Sequence, residues 1–220
     1  MIYKTRFYAG RVLAEHLKDK AYIENAVILA IPNGGVPVAK EISDVLKIPF
    51  DILIIRKIKI PWNTEAGFGS ITRDGEIILN KGLVIALGLT EAQIKKQAEI
   101  TMKEIKDRIS LYKQESKFLD ISGKNVILVD DGLASGFTMI AAIKSIKKKS
   151  VGKIIVAVPT ASGSSVDKVV PLIDELICPD IRRTMYFAVA SAYEHWYDLD
   201  EKEVINLLNS SKFYFKNITD

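Results

Sequence analysis

Residues 125–138 read Asn-Val-Ile-Leu-Val-Asp-Asp-Gly-Leu-Ala-Ser-Gly-Phe-Thr, and this stretch decides the fold. After Asn125, Val126 to Val129 are a short apolar run rich in β-branched side chains, and the five residues have the pattern of a strand buried on both faces. The run delivers two carboxylates, Asp130 and Asp131, to its carboxyl end. Successive strand residues point to opposite faces, so the two acids diverge unless the strand stops there and they splay around a ligand. A tight polar turn containing Gly132, Ser135 and Gly136 follows, and a helix is predicted from Thr138 to Lys149. Unpaired amides and the dipole at the start of such a helix favour an anion.

The same alternation extends in both directions. Ala26 to Ile31 predicts a buried strand, Pro32-Asn33-Gly34-Gly35 a turn, Val36 to Leu46 a helix and Phe50 to Ile55 a second strand. These pieces form a βαβ unit with a right-handed crossover. From Lys57 to Gly69 the periodicity is lost, which predicts a long functional loop. Arg73-Asp74-Gly75-Glu76 between apolar runs predicts a β-hairpin over Ser70 to Asn80. Thr90 to about Gln114 predicts a long helix opened by a Thr90/Gln93 capping box, with Ile94, Ala98, Met102, Ile105, Ile109 and Tyr112 as its core stripe. Lys153 to Val158 and Glu175 to Cys178 complete the strands. The pattern predicts an α/β fold with a mostly parallel, doubly wound sheet, whose ligands bind beyond the carboxyl ends of the strands.

Composition narrows the function classes. The chain has 220 residues, 48% hydrophobic and 26% charged, with a net charge of +4. No apolar run reaches the roughly 18 residues of a membrane span. The first residues carry no signal-peptide pattern, and a cytoplasmic protein is expected. Cys178 is the only cysteine, which excludes an intrachain disulfide and a cysteine zinc cluster; it reads as a small buried hydrophobe. Lys147-Lys148-Lys149 reads as a solvated helix end, so nucleic acid is not expected as a partner.

The acid pair followed by an anion cradle suits a molecule with vicinal hydroxyls close to a phosphate, such as a ribose 5-phosphate. A P-loop would need a lysine after Gly136, and a dinucleotide fingerprint would need G-x-G-x-x-G; both are absent. A response-regulator receiver would place the two acids on its first strand, whereas two strands precede them here. Two aspartates that merely cap a turn are the bland alternative. Arg56 and Lys57, next to the run Phe50 to Ile55, would lie over the same edge of the sheet and could bind phosphate.

Residues 126–138 resemble the signature of the type I phosphoribosyltransferases: a hydrophobic strand, two acids, and a loop closing on Ser-Gly-Phe-Thr. The resemblance extends to Arg6 through Gly10, to Tyr186 through Val189 and to Trp196-Tyr197. It is similar to a subgroup with unassigned acceptor. It implies a core over about 22–180 and a small hood from about 1–20 and 181–220, all within one domain. It also implies that Asp130 and Asp131 hold ribose, that Ala134, Ser135, Gly136, Phe137 and Thr138 hold the 5′-phosphate, and that Gly34, Gly35, Arg56 and Lys57 hold pyrophosphate. Asp130, Asp131 and Lys57 would then be the catalytic residues. Asn33 stands where the family tends to carry arginine. The loop from Ile58 to Ser70 would be a lid, with Glu65 orienting it or the acceptor. Tyr193, His195, Trp196 and Tyr197 read as an aromatic cluster of the hood, with His195 a candidate base.

The implied activity is transfer of phosphoribose from 5-phosphoribosyl-1-pyrophosphate (PRPP) to a nitrogenous acceptor, a nucleobase by analogy, with release of pyrophosphate. Mg²⁺ would be held through PRPP and Asp130 and Asp131, without a dedicated metal site. The competing implication is a non-catalytic sensor of PRPP or nucleotides. A homodimer is the default assembly.

Overall fold

The computed structural model describes residues 1–113 and 119–215, apart from the side chains of Thr64, Glu65 and Lys113. The role expected of Glu65, the expected helix end at Gln114 and the last five residues of the expected hood therefore lie outside the described residues.

Five strands form a parallel sheet: β1 (Ala26–Ala30), β2 (Phe50–Ile52), β6 (Asn125–Val129), β7 (Ile154–Ala157) and β9 (Glu175–Ile177), in the order β2-β1-β6-β7-β9. Helices α1 (Arg6–Leu17) and α2 (Gly35–Leu46) lie on one face, and α5 (Phe137–Lys147) and α6 (Gly163–Val169) on the other. The two faces follow from the period of a strand. Ile28, Ala30, Ile127 and Val129 pack with Leu13, Leu17, Val38 and Ile42. Val27, Leu29, Val126 and Leu128 pack with Met139, Ile143 and Val166. Burial on both faces explains why these strands read as unbroken apolar runs. Each buried Leu, Ile or Val contributes about 1.5–3 kcal/mol of transfer free energy.

A second sheet, antiparallel, consists of β3 (Ile55–Ile60), β4 (Asn63–Thr72) and β5 (Ile77–Leu79). The β4–β5 hairpin is the one expected from Arg73-Asp74-Gly75-Glu76, and Gly75 takes φ +87° in its turn. The stretch expected to be a loop from Lys57 to Gly69 is instead the β3–β4 hairpin. Its register shifts at Ile58/Lys59 and Lys59/Ile60, and Gly67 makes room for the Lys57 stem, since a Cβ there would lie 2.1 Å from Lys57 Cγ. Irregular pairing and polar residues on the outer face erased the alternation that reveals a strand.

The short helix α3 (Lys81–Ala86) leads to α4 (Glu91–Lys113), whose stripe of Ala98, Ile105 and Tyr112 is buried against the same core. Its capping box is formed: Thr90 N–H donates to Gln93 Oε1 at 2.9 Å, and Gln93 N–H to Thr90 Oγ at 3.3 Å. Two three-residue strands, β8 (Thr160–Ser162) and β10 (Asp180–Arg182), pair in parallel beyond the main sheet. They are too short to show a period in the sequence. Cys178 follows β9 and is half-buried, and burial pushes its thiol up to about 12.

The chain-terminal segments meet at the carboxyl end of the sheet. Tyr3 N–H donates to Ala192 O and Glu194 N–H to Tyr3 O, both at 2.8 Å, and the buried Tyr3 hydroxyl donates to Pro159 O just past β7. Helix α7 (Glu201–Ser210) packs on α2, and Tyr214 then bridges to Phe50 at the sheet edge. No described helix is long and apolar enough to cross a membrane. In the basic run, Lys148 pairs with Glu76 of the hairpin.

Candidate active site

Strand β6 stops at Val129, so Asp130 and Asp131 leave the pleat and turn toward the segment that follows β1. Asp131 N–H donates to Asp130 Oδ1 at 2.8 Å, which sets the two carboxyls side by side. The turn after β1 lies directly against them. A Cβ on Gly34 would fall 2.0 Å from Asp131 Oδ2, and one on Gly35 would fall 2.6 Å from Val129 O and 3.0 Å from Asp130 Cα. The glycine pair thus lets two strand ends approach. The Gly35 amide donates to Ile31 O at 3.0 Å, whereas the Gly34 amide makes no backbone bond of this kind among the described residues. Gly35→Ala would push a methyl into main chain on a central strand. It is expected to cost about 1–3 kcal/mol, read as a lower urea midpoint; an unchanged midpoint would refute the packing argument.

Asp131 also receives Arg6 from the first turn of α1. Arg6 Nε donates to Asp131 Oδ2 at 2.7 Å and Arg6 Nη1 to Tyr197 O at 2.8 Å. The guanidinium lies 3.9 Å from the centre of the Trp196 ring, and Tyr193 donates its hydroxyl to Asp131 O. Burial raises the pKa of both acids above the ordinary carboxylate range. The rise is larger for Asp130, where the charge of Asp131 adds to it; at Asp131 the Arg6 guanidinium opposes it. Burial, with the close packing of the two carboxyls, is thus what opposes their ionisation.

The loop Ala134 to Thr138 is braced from below. Ser162 Oγ donates to Ala134 O at 2.7 Å, Ser165 Oγ to Leu133 O at 3.0 Å, and Lys168 Nζ to Ser135 O at 3.3 Å. These bonds use the carbonyls of Leu133, Ala134 and Ser135, not the loop amides. Gly136 takes φ +80° as the N-cap of α5 and supplies no side-chain cap, so the first-turn N–H groups from Phe137 onward have no acceptor within the helix. Ala134 and Ser135 are exposed; Phe137 and Thr138 are half-buried.

Across from this loop stand cations from β3 and α4. Arg56 and Lys57 lie on β3 itself rather than at the end of a preceding strand. Arg56 pairs with Glu104 of α4 at 2.7 Å. Together with Lys59, Arg108, Pro32, Asp130 and Thr138 they line a cleft of about 320 Å³. The structure therefore brings Asp130, Thr138, Arg56 and Lys57 to one cleft, while Gly34 and Asp131 lie against each other and do not line it. Asn33, reached across a cis Pro32–Asn33 peptide, donates from Nδ2 to Leu199 O at 2.8 Å and accepts from Arg108 Nη1 at 2.9 Å. His195 lines a separate small pocket with Arg6, Phe7, Pro37 and Tyr197, not the cleft that Asp130 lines.

Arg6 and Arg108 are the site residues that sequence reasoning missed. Arg6 had one signal, its place in the resembling N-terminal stretch. Arg108 had none, being one of many charges on the polar side of a long helix.

A doubly wound sheet with an acid pair, a glycine-containing loop and several cations beyond the carboxyl ends of its strands defines an α/β protein with a cation-lined cleft at its switch point. The chain belongs to the phosphoribosyl transferase domain family, whose model matches residues 3–195. This agrees with the type I signature at 126–138. It is 30% identical over 208 residues to Rv0571c of Mycobacterium tuberculosis H37Rv, which is provisionally named a phosphoribosyl transferase. That match covers 94% of this chain but 46% of the relative, so the chain spans about half the relative's length. The crystal structure of TT1426 from Thermus thermophilus superposes with a TM-score of 0.77 at 28% identity, covering 94% of this chain and 97% of that one.

Proposed function

We propose that this protein is a phosphoribosyltransferase that takes PRPP with Mg²⁺ and attaches its phosphoribosyl group to a nitrogen of a nucleobase-like acceptor. One observation carries the reading: the cleft of about 320 Å³ is lined by Asp130 and Thr138 together with Arg56, Lys57, Lys59 and Arg108. That volume is in the range of small-ligand pockets, and its charges match a sugar with phosphate at one end and diphosphate at the other.

In this reading the amides of Ala134 to Thr138 hold the 5′-phosphate. Asp130 and Asp131 accept hydrogen bonds from the ribose hydroxyls, which favour the ionised carboxylates against the desolvation that opposes them. Arg56, Lys57 and the Gly34 amide hold the pyrophosphate, with Gly35 allowing the close approach of the strands. The bond from C1 to pyrophosphate breaks as the bond from the acceptor nitrogen forms, and the acceptor's proton leaves to a base or solvent. Positive charge grows on the ribose and is offset by the two acids. Negative charge grows on the leaving group and meets Lys57 and Arg56. The β3–β4 hairpin serves as the lid that keeps water from the ribose. The chain-terminal segments, through Arg6, Trp196 and Tyr197, serve as the hood.

Two adjacent carboxylates can fill only part of a six-oxygen Mg²⁺ shell. Among the described residues no group of three or more His, Cys, Asp or Glu stands together. The residues fit a cation shared with the diphosphate, and when bound it would neutralise charge on the leaving group.

A second reading, a sensor that binds PRPP or nucleotides without turnover, draws on the ion pair that ties Asp131 to Arg6. Incubation with PRPP, MgCl₂ and a panel of nucleobases separates the two. Pyrophosphate release with at least one base is expected. Thermal stabilisation by PRPP with no release from any base would replace the transferase by the sensor.

A further inference from the structure

We infer that Arg108 of α4 is a further diphosphate-binding cation, acting with Arg56 and Lys57 at the pyrophosphate end of the cleft, and that Asn33 is the residue that positions it. The inference rests on the PRPP reading and adds to it a residue from outside the family signature.

Asn33 follows β1 next to Pro32, which lines the cleft, and its side chain is spent inside the protein. Its Nδ2 donates to Leu199 O at 2.8 Å, and its Oδ1 accepts both from Arg108 Nη1 at 2.9 Å and from the Tyr112 hydroxyl at 3.2 Å. An amide so engaged can hold a guanidinium but has little left for a phosphate. Arg108 therefore arrives at this corner from α4, 75 residues further along the chain.

The balance of charge in the cleft favours Arg108. Arg56 and Lys59 both face Glu104, at 2.7 and 3.8 Å, which compensates them in part. Arg108 meets a neutral amide and Glu201 at 3.1 Å; its side chain is 20% exposed and that of Glu201 is 44% exposed. An exposed partner is screened by water and cancels little of the guanidinium's field. A guanidinium has five N–H donors in a planar fork. Asn33 and Glu201 engage one nitrogen each, Nη1 and Nη2, so donors remain for the cleft that Arg108 lines with Lys57 and Asp130. Arg108 and Lys57 lining one cleft of this size suit a diphosphate better than a single phosphate.

Calorimetric titration tests this with two probes: inorganic pyrophosphate with MgCl₂, and ribose 5-phosphate. Arg108→Ala is expected to weaken pyrophosphate by about 10- to 100-fold, the effect of losing charge-assisted hydrogen bonds. Ribose 5-phosphate binding should stay within about twofold, because its contacts are independent; this also shows that the variant is folded. Arg108→Lys should fall between wild type and Arg108→Ala, since it keeps the charge and loses the fork. Asn33→Ala should weaken pyrophosphate less than Arg108→Ala, leaving the cation present but unaimed. Unchanged pyrophosphate affinity in Arg108→Ala would overturn the inference and leave the PRPP reading standing. Equal loss of both probes would also overturn it, by making Arg108 a structural residue. A wild-type protein that binds neither probe would end both readings together.

Discussion

Replacing Asp130 and Asp131 together by asparagine is expected to remove measurable PRPP binding while the protein stays folded. Hydrogen bonds to charged groups are worth about 1.5–3 kcal/mol each. Losing one per acid amounts to about 3–6 kcal/mol, a weakening of roughly 10² to 10⁴. The double change also breaks the buried Arg6–Asp131 pair and so lowers stability, but neither side chain supports a ladder hydrogen bond of β6, and the parallel sheet should survive. Linkage gives a second readout. The folded pKa of Asp130 is raised, by burial first and then by the charge of Asp131. Such a group favours the folded state below its unfolded value, about 4. That contribution is lost as pH rises through the folded value. Asp130→Asn alone should therefore gain thermal stability relative to wild type as pH is raised from 4 to 7. Calorimetric melting across that range, with PRPP titration at pH 7, checks both parts. Micromolar PRPP binding by the double variant would remove the acids from the site.

Arg6→Ala is expected to be the most destabilising single change at the site, at about 3–5 kcal/mol. Arg6 and Asp131 are 6% and 13% exposed, so solvent screens their contact poorly. Deleting the guanidinium leaves a desolvated carboxylate beside Asp130 and also strips the Trp196 ring and Tyr197 O of their partner. Asp131 can relieve its own burial by taking up a proton. The penalty should therefore shrink as pH falls from 7 toward 4, where wild type loses the ion pair as well. Urea unfolding at both pH values measures this, and Arg6→Met separates lost packing from lost charge. A difference below about 0.5 kcal/mol at pH 7, the size of an ordinary surface substitution, would show the pair to be dispensable.

What could be read from the sequence follows contact distance along the chain. Strands β1, β6 and β7 are buried on both faces, so each announces itself within five residues, and the acid pair and loop are contiguous with β6. The capping box at Thr90 and the turn at Gly75 are equally local. The β3–β4 hairpin was hidden because Arg56, Lys57 and Lys59 serve the cleft rather than a two-sided core, and bulges break their period. Arg6 and Arg108 were hidden for another reason. They reach Asp131 and Asn33 across 125 and 75 residues, and no local spacing encodes such a meeting. The resemblance at the N-terminus pointed to the Arg6 segment without saying what Arg6 touches.

The bond from Asn33 to Leu199 has a temporal consequence. A growing polypeptide leaves the ribosome from its N-terminal end at about 5–20 residues per second. The whole run from Asp130 to Thr138 emerges some sixty residues before Leu199. For several seconds a nascent chain would carry every signature residue yet lack the carbonyl that anchors Asn33, and with it the bracket around Arg108. Ligand capture should therefore be among the last properties the chain acquires, and a nascent chain stopped before Leu199 should bind diphosphate poorly.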